Sequence, residues 1–402
     1  MKLFPQRVAA LAVTAALTLA ACGGDDDDDT TSPVTEPAAP ATEPAAPATE
    51  PAAPATEPAA PATDPAPATD PAPADVSGEL VGAGASSQTA AMDGWKAGFA
   101  EVAPDVSISY DPIGSGGGRK TFLDGGSDFA GSDSALKPEE FEASKAVCGD
   151  LGAISVPHYI SPIAVAYNLP GIDALQLSPN TVAGIFANTI TNWNDPAIAA
   201  DNPDATLPDL AINPVHRSDE SGTSANFTDY LAQAASDVWT YGSIEVWDEG
   251  PGGGEGADGT SGVVASVEAG EGSIGYADAS QINALGAARI GVGDGFVELS
   301  AESAGRIVDS SERVSSGSEF DYAIEVNRTP DTPDTYPIAL VSYHIFCLQY
   351  DDQAKVDAVK AFMLFVGSED GQAAAAMTAG SAPISADVRA AIAEAIDQIT
   401  VA

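Results

Sequence analysis

The chain has 402 residues and carries 59 Asp and Glu against 15 Lys and Arg, a formal net charge of −44. That balance excludes nucleic acid as a partner, because binding a phosphate backbone needs a basic face. Three scattered histidines, His158, His216 and His344, have no metal-ligand spacing and read as structural. No Ser-His-Asp set or Gly-x-Ser-x-Gly turn is legible, so neither a metal nor a cofactor is expected.

The N-terminus reads as a leader. Lys2 and Arg7 precede an apolar stretch, Val8 to Ala21, that is too short to span a bilayer as a helix. It ends in Leu19-Ala20-Ala21-Cys22-Gly23, which resembles the lipobox of a bacterial lipoprotein signal. On that resemblance residues 1–21 are removed and Cys22 becomes a lipidated, palmitate-bearing first residue anchored to the cell membrane. The alternative is an ordinary signal peptide cleaved at an Ala-x-Ala-like site, with Cys22 there by chance. No later segment is long and apolar enough to span a membrane.

Residues 22–75 read as a disordered linker. Asp25 to Asp29 form a self-repelling acidic run. Thr-Glu-Pro-Ala-Ala-Pro-Ala then occurs four times from Thr35 to Ala62, and Thr-Asp-Pro-Ala-Pro-Ala twice more to Ala74. These units hold no large apolar residue to bury, so they build no solenoid. Their prolines fix φ and remove donors, which favours an extended polyproline-II-like tether of roughly 120 Å. The threonines are compositional candidates for O-glycosylation.

About 325 residues follow, enough for two lobes with separate cores. They hold 47 of the acids and 13 of the bases, a net charge of −34. A field of that sign repels anions, so an anion site here must rely on short-range donors in a sheltered pocket. Besides Cys22 there are only Cys148 and Cys347. In an exported body they suggest one disulfide, the alternative being two separately buried thiols.

Three strand–turn–helix units in the body are rich in small donors. Glu79–Val81 reads as a strand leading into Gly82-Ala83-Gly84-Ala85-Ser86-Ser87-Gln88 and an amphipathic helix with Trp95 and Phe99. Val106 to Asp111 alternates as a second strand, followed by Pro112-Ile113-Gly114-Ser115-Gly116-Gly117-Gly118-Arg119-Lys120 opening a helix through Phe122. The spacing fails the nucleotide P-loop pattern. A strand through Phe129 then turns at Gly131-Ser132-Asp133. Leu210 to His216 reads as the third unit's strand, running into Arg217-Ser218-Asp219-Glu220-Ser221-Gly222-Thr223 and a helix with Tyr230 and Leu231. One planar cation, several hydroxyls and a helix N-terminus suit a tetrahedral oxyanion. For the first loop alone an ordinary Ser cap is the plainer reading, whereas for the Arg217 loop an Arg–Asp surface pair beside a Ser cap is the alternative.

Together the loops resemble the substrate-binding protein of the phosphate-specific ABC importer. Gly82–Ser86, Ile113–Gly117, Phe129–Asp133 and Arg217–Thr223 fall in that family's order and spacing, and Ile190–Pro196 and Gly272–Tyr276 agree. The resemblance implies the α/β, two-lobed type II periplasmic-binding-protein fold. Lobe I would comprise 76–160 with 340–402 and lobe II 161–339, with crossovers near 160–169 and 336–340. It implies extracytoplasmic, high-affinity phosphate binding by a monomer, delivery to a membrane permease, and no catalysis. Ser86, Ser115, Ser221 and Thr223 would donate hydroxyls, Ser87, Gly222 and Thr223 backbone N–H groups, and Arg217 the positive charge. Asp219 would hold Arg217, and Asp133 would accept the ligand's proton. Ser87 stands where the family often has an aromatic wall. The alternatives are a phosphate-ester hydrolase on the same fold or a binder of another tetrahedral oxyanion.

Overall fold

A computed structural model of the chain describes residues 76–402. The leader, Cys22 and the Pro-rich tether lie outside the described residues.

The main sheet of the body has nine strands: β1 (Gly78–Gly84), β2 (Val106–Asp111), β3 (Phe129–Ser132), β4 (Ala153–Tyr167), β5 (Asn213–Arg217), β6 (Glu255–Ala257), β7 (Ser273–Asp278), β8 (Gly286–Ala287) and β9 (Ala339–Cys347). Eleven helices accompany them: α1 (Thr89–Val102), α2 (Ser115–Leu123), α3 (Pro138–Cys148), α4 (Pro179–Phe186), α5 (Pro196–Asp201), α6 (Gly222–Ala234), α7 (Gly259–Ala269), α8 (Ala301–Asp309), α9 (Gln353–Gly367), α10 (Glu369–Ala379) and α11 (Ala386–Asp397). The sheet order is β2-β1-β3-β9-β4-β7-β5-β6, with β8 also on β4.

The fifteen-residue β4 is buried along its whole length and runs from one half of the sheet into the other. Its first part, Ala153–Pro162, pairs antiparallel with β9, and its last part, Ile163–Tyr167, with β7. The change of partner falls at Pro162, which has no N–H to donate to a ladder. Ile163 N–H then donates to the Ile338 carbonyl at 2.8 Å, so the outgoing and returning chains are joined there.

Aromatic residues pack in each half of the sheet, within one continuous core rather than two separate ones. Trp95, Phe99, Phe129 and Phe362 fill the β1–β3–β9 half. Phe186, Phe227, Trp247 and Tyr276 fill the β5–β7 half. The segment from α8 to a hairpin of Glu312–Val314 with Ala323–Glu325 packs on the first half, although it precedes β9 in the chain. Ala304, Ile307 and Ala323 share a core with Phe122, Ala130 and Ile345, and Ser155 on β4 bonds Asp321 Oδ1 at 2.7 Å.

Cys148, ending α3, and Cys347, ending β9, are joined by a disulfide. His158 and His344 form a fully buried pair on adjacent strands, with Nδ1 atoms 3.1 Å apart. Burial holds both imidazoles neutral and lowers His344 to about 3. His216 is half-buried and stacks on Trp247.

Candidate functional site

The strand ends that face the middle of the molecule carry the small-residue loops. After β1, Ser86–Gln88 make one 3-10 turn before α1. Gly84 (φ 149°) can only be glycine, because a Cβ there would collide with the Gly131 carbonyl oxygen. After β2, the helix α2 begins at Ser115, so Gly116–Gly118 form its first turn instead of a loop before it. After β3 comes Asp133. After β5, Arg217 leads to Ser221, which caps α6 by accepting from Ser224 N–H at 3.1 Å.

Asp133 is the meeting point. Its Oδ1 accepts from Ser87 Oγ at 2.7 Å and from Ser342 Oγ at 2.6 Å, and its Oδ2 from Thr223 Oγ1 at 2.7 Å. Its own N–H donates to Ser115 Oγ at 3.0 Å. Thr223 reaches it from the other half of the molecule. The two loops approach so closely that a Cβ on Gly222 would lie 2.6 Å from Ser115 Oγ and 2.8 Å from Asp133 Cβ. Gly222 and Thr223 open α6, so their N–H groups have no carbonyl within the helix to bond. Burial raises the Asp133 pKa, opposed by the bonds from Ser342, Ser87 and Thr223 and by the charge of Arg217.

Arg217 is buried and paired with Asp219 through Nε, at 2.6 Å to Oδ1, and through Nη2 to Oδ2. Asp219 thus takes one edge of the guanidinium and leaves the Nη1 side. The Asp219 carboxylate also accepts the Gly259 N–H at 3.1 Å. Burial would push its pKa up, but the bond and charge from Arg217, with the Gly259 N–H, outweigh burial and hold it below its ordinary value.

Ser86 faces a different partner. Its Oγ lies 2.9 Å from Thr260 Oγ1 and accepts the Thr260 N–H at 3.0 Å, at the start of α7. Gln281 Nε2 donates across the same gap to the Ser86 and Ser87 carbonyls, at 3.0 and 3.2 Å. Ser86, Ser87, Ser115, Asp133, Arg217, Ser221, Gly222 and Thr223 are therefore all buried where the two halves meet, with Asp219 behind Arg217.

Four polar residues in this network were not legible as site residues. Thr260 had a signal, because Asp258-Gly259-Thr260-Ser261-Gly262 is another small-residue helix start. Ser342 stands out only as a hydroxyl within the wholly buried β9. Gln88, whose Nε2 donates to Ser342 Oγ at 2.7 Å, and Gln281 have no sequence pattern. Among the described residues, no group of three or more His, Cys, Asp or Glu could hold a metal ion.

The profile of a family described as "PBP superfamily domain" matches residues 68–370. The Phosphate-binding protein PstS2 of Mycobacterium bovis (strain BCG / Pasteur 1173P2) is 35% identical over 292 residues, 71% of this chain and 78% of that one. The chain belongs to this family of phosphate-binding proteins. Among solved structures, a high-affinity periplasmic phosphate-binding protein (PfluDING) bound with phosphate superposes with a TM-score of 0.63 and 21% identity, covering 78% of this chain and 92% of that one. The phosphate-binding protein of Stenotrophomonas maltophilia gives 0.61 and 22%, covering 79% and 94%. These likenesses establish the two-lobed type II periplasmic-binding-protein fold for the phosphate-binding family member described here.

Proposed function

We propose that the protein binds inorganic phosphate outside the cytoplasm and delivers it to the membrane permease of an ABC importer, without catalysis. The observation that carries this reading is Asp133, a buried acid set among hydroxyl donors near Arg217. A carboxylate in an anion pocket serves a ligand that keeps a proton, and phosphate does so near neutral pH. Asp133 accepts that proton's hydrogen bond. Arg217 presents its free edge to the oxygens, Ser86, Ser115 and Ser221 turn their hydroxyls to them, and Thr223 does so by giving up its bond to Asp133. The N–H groups of Ser87, Gly222 and Thr223 complete the cradle at helix starts, where the backbone dipole favours negative charge. Sulfate offers no proton and would leave two acceptors facing each other unpaired, which costs enough for about 10³-fold discrimination.

Lobe I comprises 76–160 with 340–402 and lobe II 161–339, and within lobe II's chain segment, residues 301–326 ride on lobe I. Closure about the Pro162–Ile163 and Ile338 crossovers brings Thr223 to Asp133. The protein acts as a monomer on a tether from lipidated Cys22, which holds the body away from the membrane.

Isothermal titration with phosphate, arsenate and sulfate tests the reading. Heat is expected with phosphate and arsenate and none with sulfate. No heat with phosphate overturns it, and turnover of a phosphate monoester would replace binding with hydrolysis.

A further inference from the structure

Arg119 is a second buried cation, one helical turn beyond Ser115, and it has no part in the phosphate reading. Its guanidinium is 1% exposed. Nε donates to Glu140 Oε1 at 2.9 Å and Nη1 to Ser132 Oγ at 3.0 Å, both on the same lobe. Nη2 crosses the cleft to both carboxylate oxygens of Glu245, at 3.0 and 2.9 Å, and lies 3.9 Å from Glu220 Oε1. Lys137, at the start of α3, makes a second crossing to Glu245 Oε2 at 3.1 Å.

The far side of this contact is tied to the ligand loop. The Glu245 carbonyl accepts the Ser221 N–H at 2.9 Å, and the Glu220 carbonyl accepts the Gly116 N–H at 3.1 Å. Burial pushes the Glu245 pKa up, but Arg119 and Lys137 outweigh it and hold Glu245 below its ordinary value, so it is ionised at neutral pH.

We propose that Arg119 is a positioning residue that latches the closed cleft: Glu140 and Ser132 orient its guanidinium on lobe I, and Glu245 of lobe II is the catch. The inference rests on the phosphate-binding reading for its ligand but not for its geometry. Opening would strip Glu245 of both cationic partners, whereas Arg119 would keep Glu140 and Ser132. The hook is therefore pre-oriented in either state, and only closure satisfies the catch. An interaction made in the closed state alone slows ligand release, since bound phosphate leaves through the open form. The planar guanidinium matters because Nε and Nη1, held by Glu140 and Ser132, fix the direction in which Nη2 reaches both Glu245 oxygens.

The test compares Glu245→Gln, which breaks the catch, with Glu140→Gln, which breaks a bond to the same guanidinium within one lobe. Phosphate release is followed by stopped flow on the full chain, and the radius of gyration by X-ray scattering without ligand. Glu245→Gln is expected to raise the release rate about tenfold with association little changed, and to expand the ligand-free protein. Glu140→Gln is expected to leave release within about twofold of wild type while lowering thermal stability. Equal release rates for Glu245→Gln and wild type, or an equal rise in both variants, overturn the latch. Should Glu245→Gln fail to fold, Arg119→Lys keeps the charge but loses the planar group that Glu140 and Ser132 orient, and faster release is again expected. If the wild-type protein binds no phosphate, the functional reading falls, and ligand-free scattering alone decides the latch: no expansion in Glu245→Gln overturns it.

Discussion

Asp133 accepts hydroxyl bonds on both carboxylate oxygens, from Ser87 and Ser342 on one and Thr223 on the other. These donors stabilise the ionised form, and burial opposes it. Replacing Asp133 with Asn keeps the shape and removes the charge, and it turns one acceptor into a donor. A fully ionised tetrahedral anion would then meet a donor in place of a like charge. Asp133→Asn is expected to cut the discrimination against sulfate from about 10³-fold to within about tenfold. Competition calorimetry with sulfate and phosphate reads this directly, and continued exclusion of sulfate would remove Asp133 from the discriminating role. The serine beside it carries a related lesson. Ser87 was expected to serve through its N–H, at a position where the family often has an aromatic ring. Its hydroxyl bonds Asp133, so the side chain also orders the acid.

The secondary structure around the site was legible where short-range chemistry decides it. The strand–turn–helix units that end in Ser86, Ser115 and Ser221 follow from small residues at helix starts, and Arg217 with Asp219 follows from adjacency. Boundaries set by tertiary contact were not legible. Leu210–Ile212 reads as part of a strand, yet β5 begins at Asn213, because Leu210 and Ile212 instead bond Trp193 and Thr191 in the preceding loop. Gly116–Gly118 read as part of the turn that opens a helix and are already its first turn, and Gly118 is needed because a Cβ there would strike the Gly84 backbone. Ser342 and Gln281 reach the site from distant segments, and such convergence leaves no local pattern. The disulfide acts at the same scale, tying α3 to β9 across 199 residues and so enclosing the whole excursion into the second lobe. Closing a loop of that length removes denatured-state entropy worth about 5 kcal/mol. A protein with both Cys148→Ala and Cys347→Ala is expected to unfold several degrees lower while binding phosphate with unchanged affinity, because neither sulfur touches the site. Thermal unfolding paired with calorimetry checks both halves, and a loss of affinity would mean that the bond also positions Asp133 through β9.

At the scale of the whole molecule, a charge of −34 on the body confronts an anionic ligand. In the proposed site, attraction comes from Arg217, helix N-termini and hydroxyls packed where the lobes meet, and none of these projects far into solvent. An approaching phosphate therefore meets net repulsion until it enters the cleft. Salt shortens the reach of that repulsion, from a Debye length of about 30 Å at 0.01 M to about 8 Å at 0.15 M. The buried contacts that retain the ligand are screened far less. Raising sodium chloride across that range is thus expected to accelerate association by about two- to tenfold and to leave dissociation nearly constant. This is the opposite sign from a basic site that steers its anion, where salt slows capture. Stopped-flow association at a series of chloride concentrations separates the two cases. Slower association with rising salt would mean that the cleft mouth carries a positive field strong enough to override the body, and that recognition begins before the ligand reaches the pocket.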